Sequence, residues 1–276
     1  MQQRKLKIYF TSDVHGYFYP TTYGDMTEKN VGLFGCAGNF KKDEDTLILD
    51  GGDILQGSAF AYYCRQVADS PEVIADIMND CGYDYYTLGN HDFNYGLEYQ
   101  AAYRSRNNGV CVCQNITDEA GNTLFPWKLH TMKNGLRVGL VGIVTDYVNI
   151  WEKEENLKGI HITDPFEAAK NALAQMKEQT DLTICIYHGG FECDLESGET
   201  LSQTTENVGY RICKELDFDI LLTGHQHMSV PGRDISGTYT VQPCDNAKEY
   251  QYLEVTMTDH EKSIRSELRQ SDAAKG

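Results

Sequence analysis

The sequence predicts an α/β layered fold. Short apolar runs of the kind that form strands alternate with stretches that carry apolar residues at helical spacing. This alternation is typical of sheets covered by helices, because each element must bury one apolar face against another layer. The predicted strands are KIYFTS (7–12), TLILDG (46–51), DYYTLG (84–89), VCVCQN (110–115), RVGLVGIV (137–144), LTICIYH (182–188) and DILLTG (219–224).

Three of the intervening stretches predict helices. Ser70 followed by Pro71, and Asp164 followed by Pro165, are pairs favoured at a helix N-terminus, where the side-chain oxygen caps a free N–H and proline lacks one. Apolar residues recur at helical spacing after both pairs. A third helix is predicted over about 206–216, before the last of the seven strands.

The C-terminal part has a different pattern. TYTVQP (238–243) and YQYLEVTM (250–257) follow each other without a helix, which predicts an antiparallel pair. A hairpin is predicted in WKLHTMKNGLRVGLVG, with Asn134-Gly135 as its turn. We expect one catalytic domain over residues 1–258, and a polar tail at 259–276 that forms a terminal helix or begins a linker.

The charge of the chain limits its substrates. The 276 residues carry a formal net charge of −17, and the sequence pI is about 4.8. A surface with this much negative charge repels the phosphate backbone of polynucleotides. Long DNA or RNA is therefore not expected as a substrate. A small anion can still bind where a metal ion supplies positive charge.

The cysteines and the N-terminus predict a cytoplasmic protein. Nine cysteines, an odd number, are scattered without a CxxC pair, which suits buried thiols in a reducing compartment better than a zinc cluster or a disulfide framework. The first residues, MQQRKLKIYFTSD, lack the apolar segment of a signal peptide. No stretch approaches the roughly 18 apolar residues of a membrane span, so no membrane association is expected.

Polar side chains follow five of the predicted strands, each beside a glycine. In open α/β sheets the carboxyl ends of the strands converge on one crevice, where ligands bind. Taken alone, a segment such as LDGGD is more often an ordinary loop, but five such segments together indicate one site. The side chains are Asp13 and His15, Asp53, Asn90 and His91, His188, and the pair His225 and His227.

These side chains predict a site for two divalent metal ions. Oxygen and imidazole ligands without thiolate suit Mn, Fe, Zn, Co or Ni. Two ions bridged by one carboxylate, here assigned to Asp53, hold a phosphoryl oxygen and lower the pKa of a water between them. The predicted ligands are Asp13, His15, Asp53, Asn90, His188, His225 and His227. No role is predicted for the remaining histidines, His130, His161 and His260.

The same segments resemble the conserved blocks of a known enzyme family. SDVHG, GGD, GNHD, HGG and GHQH, in this order, are similar to the five blocks of the calcineurin-like metallophosphoesterases, over residues 7 to about 257. More narrowly, GGDILQGS, YHGGFE, ENVGY and GHQH resemble the catalytic domain of 5′-nucleotidases and 2′,3′-cyclic-nucleotide phosphodiesterases. The resemblance implies a four-layer α-β-β-α sandwich of two mixed sheets flanked by helices.

The resemblance also implies a role for each side chain. Asp13, His15 and His227 should hold one metal, and Asn90, His188 and His225 the other, with Asp53 shared. His91 should face the phosphate instead, and stabilise the transition state or protonate the leaving oxygen. Asn94 stands where 5′-nucleotidases carry an aspartate that orients this histidine. An asparagine there is usual in the cyclic-phosphodiesterase and 3′-nucleotidase branch, although Asn94 could instead cap the helix that follows.

The expected activity is hydrolysis of nucleotide phosphate esters, in which a metal-bridging hydroxide attacks phosphorus in line. Two alternatives stay open on the sequence: a phosphatase for another small phosphoester or a phosphoprotein, and a non-catalytic metal-binding module. The nucleotidase relatives also carry a second, C-terminal domain, for which 276 residues leave no room. The chain is therefore expected either to act as a lone catalytic domain or to be part of a longer protein. The oligomeric state is not predicted.

Overall fold

The computed structural model describes residues 3–24, 27–258 and 261–275. Two six-stranded sheets face each other, helices cover their outer faces, and a three-stranded sheet lies beside them. The predicted four-layer α-β-β-α sandwich is confirmed. Within the described ranges, no helix is both long and apolar enough to span a bilayer.

The bounds of the regular elements are as follows. The strands are β1 (Arg4–Thr11), β2 (Thr46–Asp50), β3 (Tyr85–Tyr86), β4 (Val110–Cys111), β5 (Cys113–Asp118), β6 (Thr123–Phe125), β7 (Lys128–Thr131), β8 (Arg137–Val144), β9 (Ile160–Ile162), β10 (Leu182–His188), β11 (Ile220–Thr223), β12 (Val230–Ile235), β13 (Thr238–Gln242), β14 (Glu249–Met257) and β15 (Lys262–Gln270). The helices are α1 (Leu33–Ala37), α2 (Ala59–Gln66), α3 (Glu72–Cys81), α4 (Gly96–Arg106), α5 (Val148–Trp151), α6 (Pro165–Met176) and α7 (Gly209–Glu215).

Both large sheets are mixed. The first has the order β15-β14-β1-β2-β3-β4, and the second has the order β12-β13-β11-β10-β8-β7. The central strands of each sheet run parallel: β1, β2 and β3 in the first, and β8, β10 and β11 in the second. The carboxyl ends of these parallel strands therefore lie at one edge of each sheet.

Residues alternate between two cores along the central strands, because successive side chains of a strand point to opposite faces. Leu6, Ile8 and Phe10 of β1 lie between the sheets, whereas Tyr9 packs under the helices of the outer face. Burying each of these large apolar side chains contributes roughly 1.5–3 kcal/mol. In β10 the inward residues are Ile184 and Ile186, and the outward ones are Cys185 and Tyr187.

Most predicted elements occur near their expected positions. The hairpin with Gly135 in its turn is β7 with β8. Asp164 caps α6 by accepting a hydrogen bond from the Glu167 N–H, as predicted. The α3 helix begins one residue after Pro71, and Ser70 accepts the Glu72 N–H. The predicted strand at 110–115 is divided, because β4 joins the first sheet and β5 joins the small one.

Two predictions for the C-terminal part are wrong. The strands at 238–243 and 250–257 do not pair: β13 pairs with β11 and β12, whereas β14 pairs with β1 and β15. The tail forms neither a helix nor a linker over Lys262–Gln270, which is the edge strand β15. Its alternating exposed and half-buried residues suit an edge strand whose second face meets solvent. His260 lies outside the described residues.

Candidate metal centre

The predicted ligands come from both large sheets and meet where the carboxyl ends of their parallel strands face each other. Asp13 and Asp53 lie in loops that follow β1 and β2, and Asn90 begins a 3₁₀ helix (Asn90–Phe93) in the segment after β3. His188 ends β10, and His225 and His227 follow β11. The site is thus built across the sandwich, whereas a single sheet would have provided only half of it.

One group of donors consists of Asp13, His15 and His227. The Nε2 atoms of His15 and His227 are 3.1 Å apart, and His227 Nε2 is 3.4 Å from Asp13 Oδ1. Ligand atoms about 2.1 Å from one cation lie roughly 3–3.5 Å apart, and opposite ligands lie about 4 Å apart. His15 Nε2 is 4.0 Å from Asp13 Oδ1, which is also compatible with a shared ion.

A second group surrounds His188. Its Nε2 atom is 3.3 Å from Asp53 Oδ2 and 3.0 Å from Asn90 Oδ1. His225 Nδ1 is 2.9 Å from the same Asn90 oxygen. Asp13, Asp53 and His188 alone already place ligand atoms within 4.8 Å of one another. These spacings also fit a cation.

Hydrogen bonds from outside the cluster orient the imidazoles. His15 Nδ1 is 2.8 Å from the Gln56 carbonyl oxygen, and His188 Nδ1 is 2.7 Å from the Gly51 carbonyl oxygen. A carbonyl only accepts, so each Nδ1 carries the proton and each Nε2 offers its lone pair to the cluster. His225 is reversed: Glu206 Oε1 lies 3.0 Å from its Nε2, which leaves Nδ1 as the donor to a metal.

The cluster balances buried charge. Burial lowers the pKa of the His188 imidazole, but the adjacent Asp53 carboxylate outweighs this effect and raises the pKa to about 10. Burial raises the pKa of the Asp13 carboxyl, but the hydrogen bond from His227 and the neighbouring His188 and His15 imidazoles together outweigh it, and the pKa falls below its usual range. Each carboxylate therefore requires a positive charge beside it, which a divalent cation provides once the imidazoles are neutral.

Five of the seven predicted ligands have a left-handed backbone, which non-glycine residues rarely adopt. Such a conformation costs on the order of 1–3 kcal/mol and persists where the surrounding structure imposes it, typically at functional sites. The φ angles are 54° for Asp13, 52° for His15, 60° for Asp53, 71° for His225 and 53° for His227.

Two glycines allow the loops after β2 and β3 to touch. A Cβ atom on Gly52 would lie 2.4 Å from the Gly89 backbone nitrogen, and a Cβ on Gly89 would lie 2.1 Å from Asp53 Oδ1. Both distances are far below van der Waals contact, so only glycine fits at either position. The glycines that stand beside the polar residues in the sequence thus bring Asp53 close to Asn90.

His91 lies beside the cluster, next to Asp53, and the hydrogen-bond partner of its ring is an amide. Its backbone N–H donates to Asp53 Oδ1 at 2.7 Å, and its ring centroid is 5.4 Å from that of His15. Its Nδ1 atom is 2.8 Å from Asn94 Oδ1. Asn94 therefore contacts His91, as one of the two sequence interpretations requires, and the residue at the N-cap position of α4 is Tyr95.

Several residues that shape the site were not predicted from the sequence. Asp92 of the GNHD segment is buried and accepts hydrogen bonds from four backbone N–H groups of the loops that carry Asp53 and Asn90. Glu206, in the ENVGY segment, holds His225. Trp151 stacks on the His225 ring with centroids 5.5 Å apart. The acidic residue directly after Asn90 and His91 in GNHD could have indicated Asp92. No local sequence pattern indicated Trp151.

Two of the remaining histidines, His130 and His161, lie within the described residues, and neither is among the ligand groups. His130 of β7 places its Nδ1 atom 3.0 Å from the hydroxyl of Tyr85 in β3 of the other sheet, and His161 is exposed in β9. All nine cysteines are free, and five of them are buried.

Several known proteins that are similar to this chain are phosphoesterases. The model of the calcineurin-like phosphoesterase family matches residues 6–229. The trifunctional nucleotide phosphoesterase protein YfkN of Bacillus subtilis is 29% identical over 262 residues, which cover 85% of this chain and 17% of that protein. The 2′,3′-cyclic-nucleotide 2′-phosphodiesterase/3′-nucleotidase of Yersinia enterocolitica is 27% identical over 262 residues, which cover 88% of this chain and 39% of that protein.

A solved structure agrees with these relatives. A Staphylococcus aureus protein provisionally assigned as a 5′-nucleotidase superposes with a TM-score of 0.90 and 31% identity, over 97% of this chain and 54% of that chain. The chain thus spans less than half the length of the two curated relatives named above. The family match covers most of the chain and includes every strand end that carries a predicted metal ligand, so the chain belongs to the calcineurin-like phosphoesterase family.

Proposed function

We propose that the protein hydrolyses phosphate esters of nucleotides at a centre that holds two divalent metal ions. The observation that carries this proposal is the convergence of seven oxygen and imidazole donors, from five strand ends, at distances suited to cations. One ion is assigned to Asp13, His15 and His227, and the other to Asn90, His188 and His225, with Asp53 shared.

The position of Asp53 supports its assignment as the shared ligand. Its Oδ2 atom is 3.3 Å from His188 Nε2, in one set, and 3.9 Å from His15 Nε2, in the other. Asp13 also contacts both groups, because its carboxylate belongs to each of the two clusters that contain His15 and His188. A centre with two adjacent ions requires this kind of overlap between ligand sets.

Each part of the site has a separate task in the proposed reaction. The donors suit Mn, Fe, Zn, Co or Ni. Two such ions, when bound, would offset the charge of the phosphoryl group and lower the pKa of a water molecule. The side chains of Asn90, His188 and His225 are fixed by one another and by Glu206, so the centre is formed before substrate arrives. His91, beside the cluster, donates a proton to the departing oxygen.

The cleft next to this centre suits a nucleotide. It encloses about 500 Å³, within the range of small-molecule sites, and His91, Asn94, Trp151, Glu206 and His225 line it. The names of the Bacillus and Yersinia relatives support nucleotides as the substrate class. Asn94 contacts His91, and its resemblance to the asparagine of the cyclic-phosphodiesterase branch supports 2′,3′-cyclic nucleotides over 5′-nucleotides as substrates.

The proposal is tested by metal-dependent activity profiling. Protein stripped with a chelator is loaded with each metal, its metal content is measured, and hydrolysis of 2′,3′-cyclic AMP, 3′-AMP and 5′-AMP is compared with that of a phosphopeptide. We expect two equivalents of metal and the highest kcat/KM for a nucleotide. Two bound metals with no ester hydrolysed would contradict the proposal, and so would a preference for the phosphopeptide.

The location and the domain limits stay predictions. The sequence predicts a cytoplasmic protein and a catalytic domain over residues 1–258, but β15 (Lys262–Gln270) pairs with β14 in the first sheet, so a domain that includes β15 is proposed instead. Cell fractionation tests the location, and limited proteolysis followed by mass spectrometry tests the limits. The acidic surface, with a net charge of −17, predicts no hydrolysis of long single-stranded DNA or RNA.

A further inference from the structure

A chain of hydrogen bonds leads from His91 to a carboxylate that is distant in the sequence. His91 Nδ1 is 2.8 Å from Asn94 Oδ1, and Asn94 Nδ2 donates to Glu152 Oε2 at 2.7 Å. Glu152 is 58 residues from Asn94 and directly follows α5. The relay joins the loop after β3 to the segment after β8.

The chemistry of the three groups allows one arrangement of protons. A carboxylate only accepts hydrogen bonds, so Glu152 requires the amide nitrogen of Asn94 to face it. The amide oxygen then faces His91, and because that oxygen also only accepts, His91 Nδ1 must carry the proton. Without Glu152, the amide could turn over and offer its N–H₂ to the ring.

We propose that Glu152 is a positioning residue, which fixes the orientation of the Asn94 amide and through it the tautomer of His91. This inference rests on the proposed function, in which His91 protonates the leaving group. When the bond between phosphorus and the leaving oxygen breaks, that oxygen departs with the electron pair and takes the proton from His91 Nε2. The ring is then left neutral with its proton on Nδ1, the form that Asn94 stabilises.

Glu152 is itself held in place. Its other carboxylate oxygen, Oε1, accepts the Lys153 backbone N–H at 2.8 Å and the Asn156 side-chain amide at 2.9 Å. The Asn156 amide also reaches the Asn94 backbone oxygen at 3.2 Å. These bonds leave Oε2 directed at Asn94. A substitution of Glu152 therefore changes the hydrogen bond that the Asn94 side-chain amide donates.

The first experiment compares leaving groups. Glu152→Gln is expected to lower kcat for a nucleotide about tenfold, the effect of losing one charge-assisted hydrogen bond, with little change in KM. For p-nitrophenyl phosphate, whose leaving group needs no proton, the loss should stay below about threefold. Glu154→Gln, which makes the same change at an exposed position two residues away, is the matched control. An equal loss for both kinds of ester would overturn the proposal.

The second experiment makes the orientation irrelevant. In an Asn94→Asp background both oxygens of the side chain accept, so Glu152 can no longer hold it by a hydrogen bond and two carboxylates face each other. Glu152→Gln should then leave kcat unchanged or raise it, because the new amide removes this repulsion and donates to the carboxylate, whereas it lowers kcat about tenfold when Asn94 is present. A purely structural role of Glu152 would give the same loss in both backgrounds, and that result would refute the inference.

The third measurement does not depend on activity. Long-range ¹⁵N–¹H NMR spectra report which ring nitrogen of a neutral histidine carries the proton. His91 should be the Nδ1–H tautomer in the native protein and a mixture in Glu152→Gln, whereas identical spectra would contradict the role of Glu152. If the metal-loaded native protein hydrolyses no ester, the proposed function fails, and these spectra still decide whether Glu152 orients Asn94.

Discussion

The carboxylate of Asp92 connects the loops that carry two predicted metal ligands, and its replacement by asparagine should loosen both. One oxygen accepts the N–H groups of Asp53, at 2.9 Å, and Gly89, at 2.8 Å. The other accepts those of Ile54, at 2.9 Å, and Leu55, at 3.0 Å. The side chain is buried, so water cannot replace any of these bonds.

Asparagine can satisfy only one of the two pairs of N–H groups. Its single oxygen replaces one carboxylate oxygen, and its N–H₂ then faces two N–H donors. Each buried donor left without a partner costs about 1–3 kcal/mol. Burial and the neighbouring Asp53 charge raise the pKa of the Asp92 carboxyl, and a neutral residue avoids that unfavourable charge. Two such donors cost about 2–6 kcal/mol, so we expect Asp92→Asn to reduce the free energy of unfolding by about 3 kcal/mol, in the lower half of that range.

The assay is chemical unfolding of the metal-free protein, followed by metal titration. A loss of about 3 kcal/mol corresponds to a fall in Tm of roughly 6–12 °C for a domain near this size. Metal affinity should fall at least tenfold, since Asp53 keeps its left-handed backbone only while this loop is held. Asp217→Asn, at a side chain that is 91% exposed, is the control and should change stability by less than about 0.5 kcal/mol. An unchanged Tm for Asp92→Asn would refute this account of the loops.

Three further predictions concern catalysis, pH dependence and packing. His91→Ala should lower kcat for nucleotides by roughly 10²–10⁴-fold with intact metal content, and unchanged kcat would exclude His91 as the proton donor. Burial raises the pKa of the Asp50 carboxyl to about 8, so its stabilising contribution is complete below its ordinary pKa and is lost as pH rises toward 8. Between pH 5 and 7 the metal-free native protein should therefore lose about 1.4 kcal/mol per pH unit relative to Asp50→Asn, and parallel stability curves for the two would argue against it. Gly142→Ala should lower the free energy of unfolding by about 3 kcal/mol or more, because its Cβ would lie 1.8 Å from the Val112 carbonyl oxygen, whereas Gly24→Ala meets only a side-chain atom at 3.9 Å and should be nearly neutral. Equal thermal stability of the two glycine variants would contradict that packing.

Short sequence patterns predicted the ligand residues of the site, but they did not predict the order of the strands in the sheets. A strand that ends in a polar residue beside glycine can be identified within a few positions, which is why Asp13, Asp53 and His188 were predicted. Pairing partners cannot be identified in this way, because β13 and β14 have similar patterns and yet join different sheets. The tail at 259–276 looked polar because one face of β15 meets solvent, and only its pairing with β14 makes it a strand.

The amino-acid sequence alone determined the layered α/β class, the family resemblance and the set of donors suited to divalent metals. These features depend on residue type and short spacing, which a linear chain displays directly. The tertiary structure decided that the donors are divided between two facing sheets, that Asp92 holds two loops together, and that Glu152 reaches Asn94. These contacts join residues from separate segments, and their energy depends on burial and on hydrogen-bond direction, neither of which exists before the chain folds.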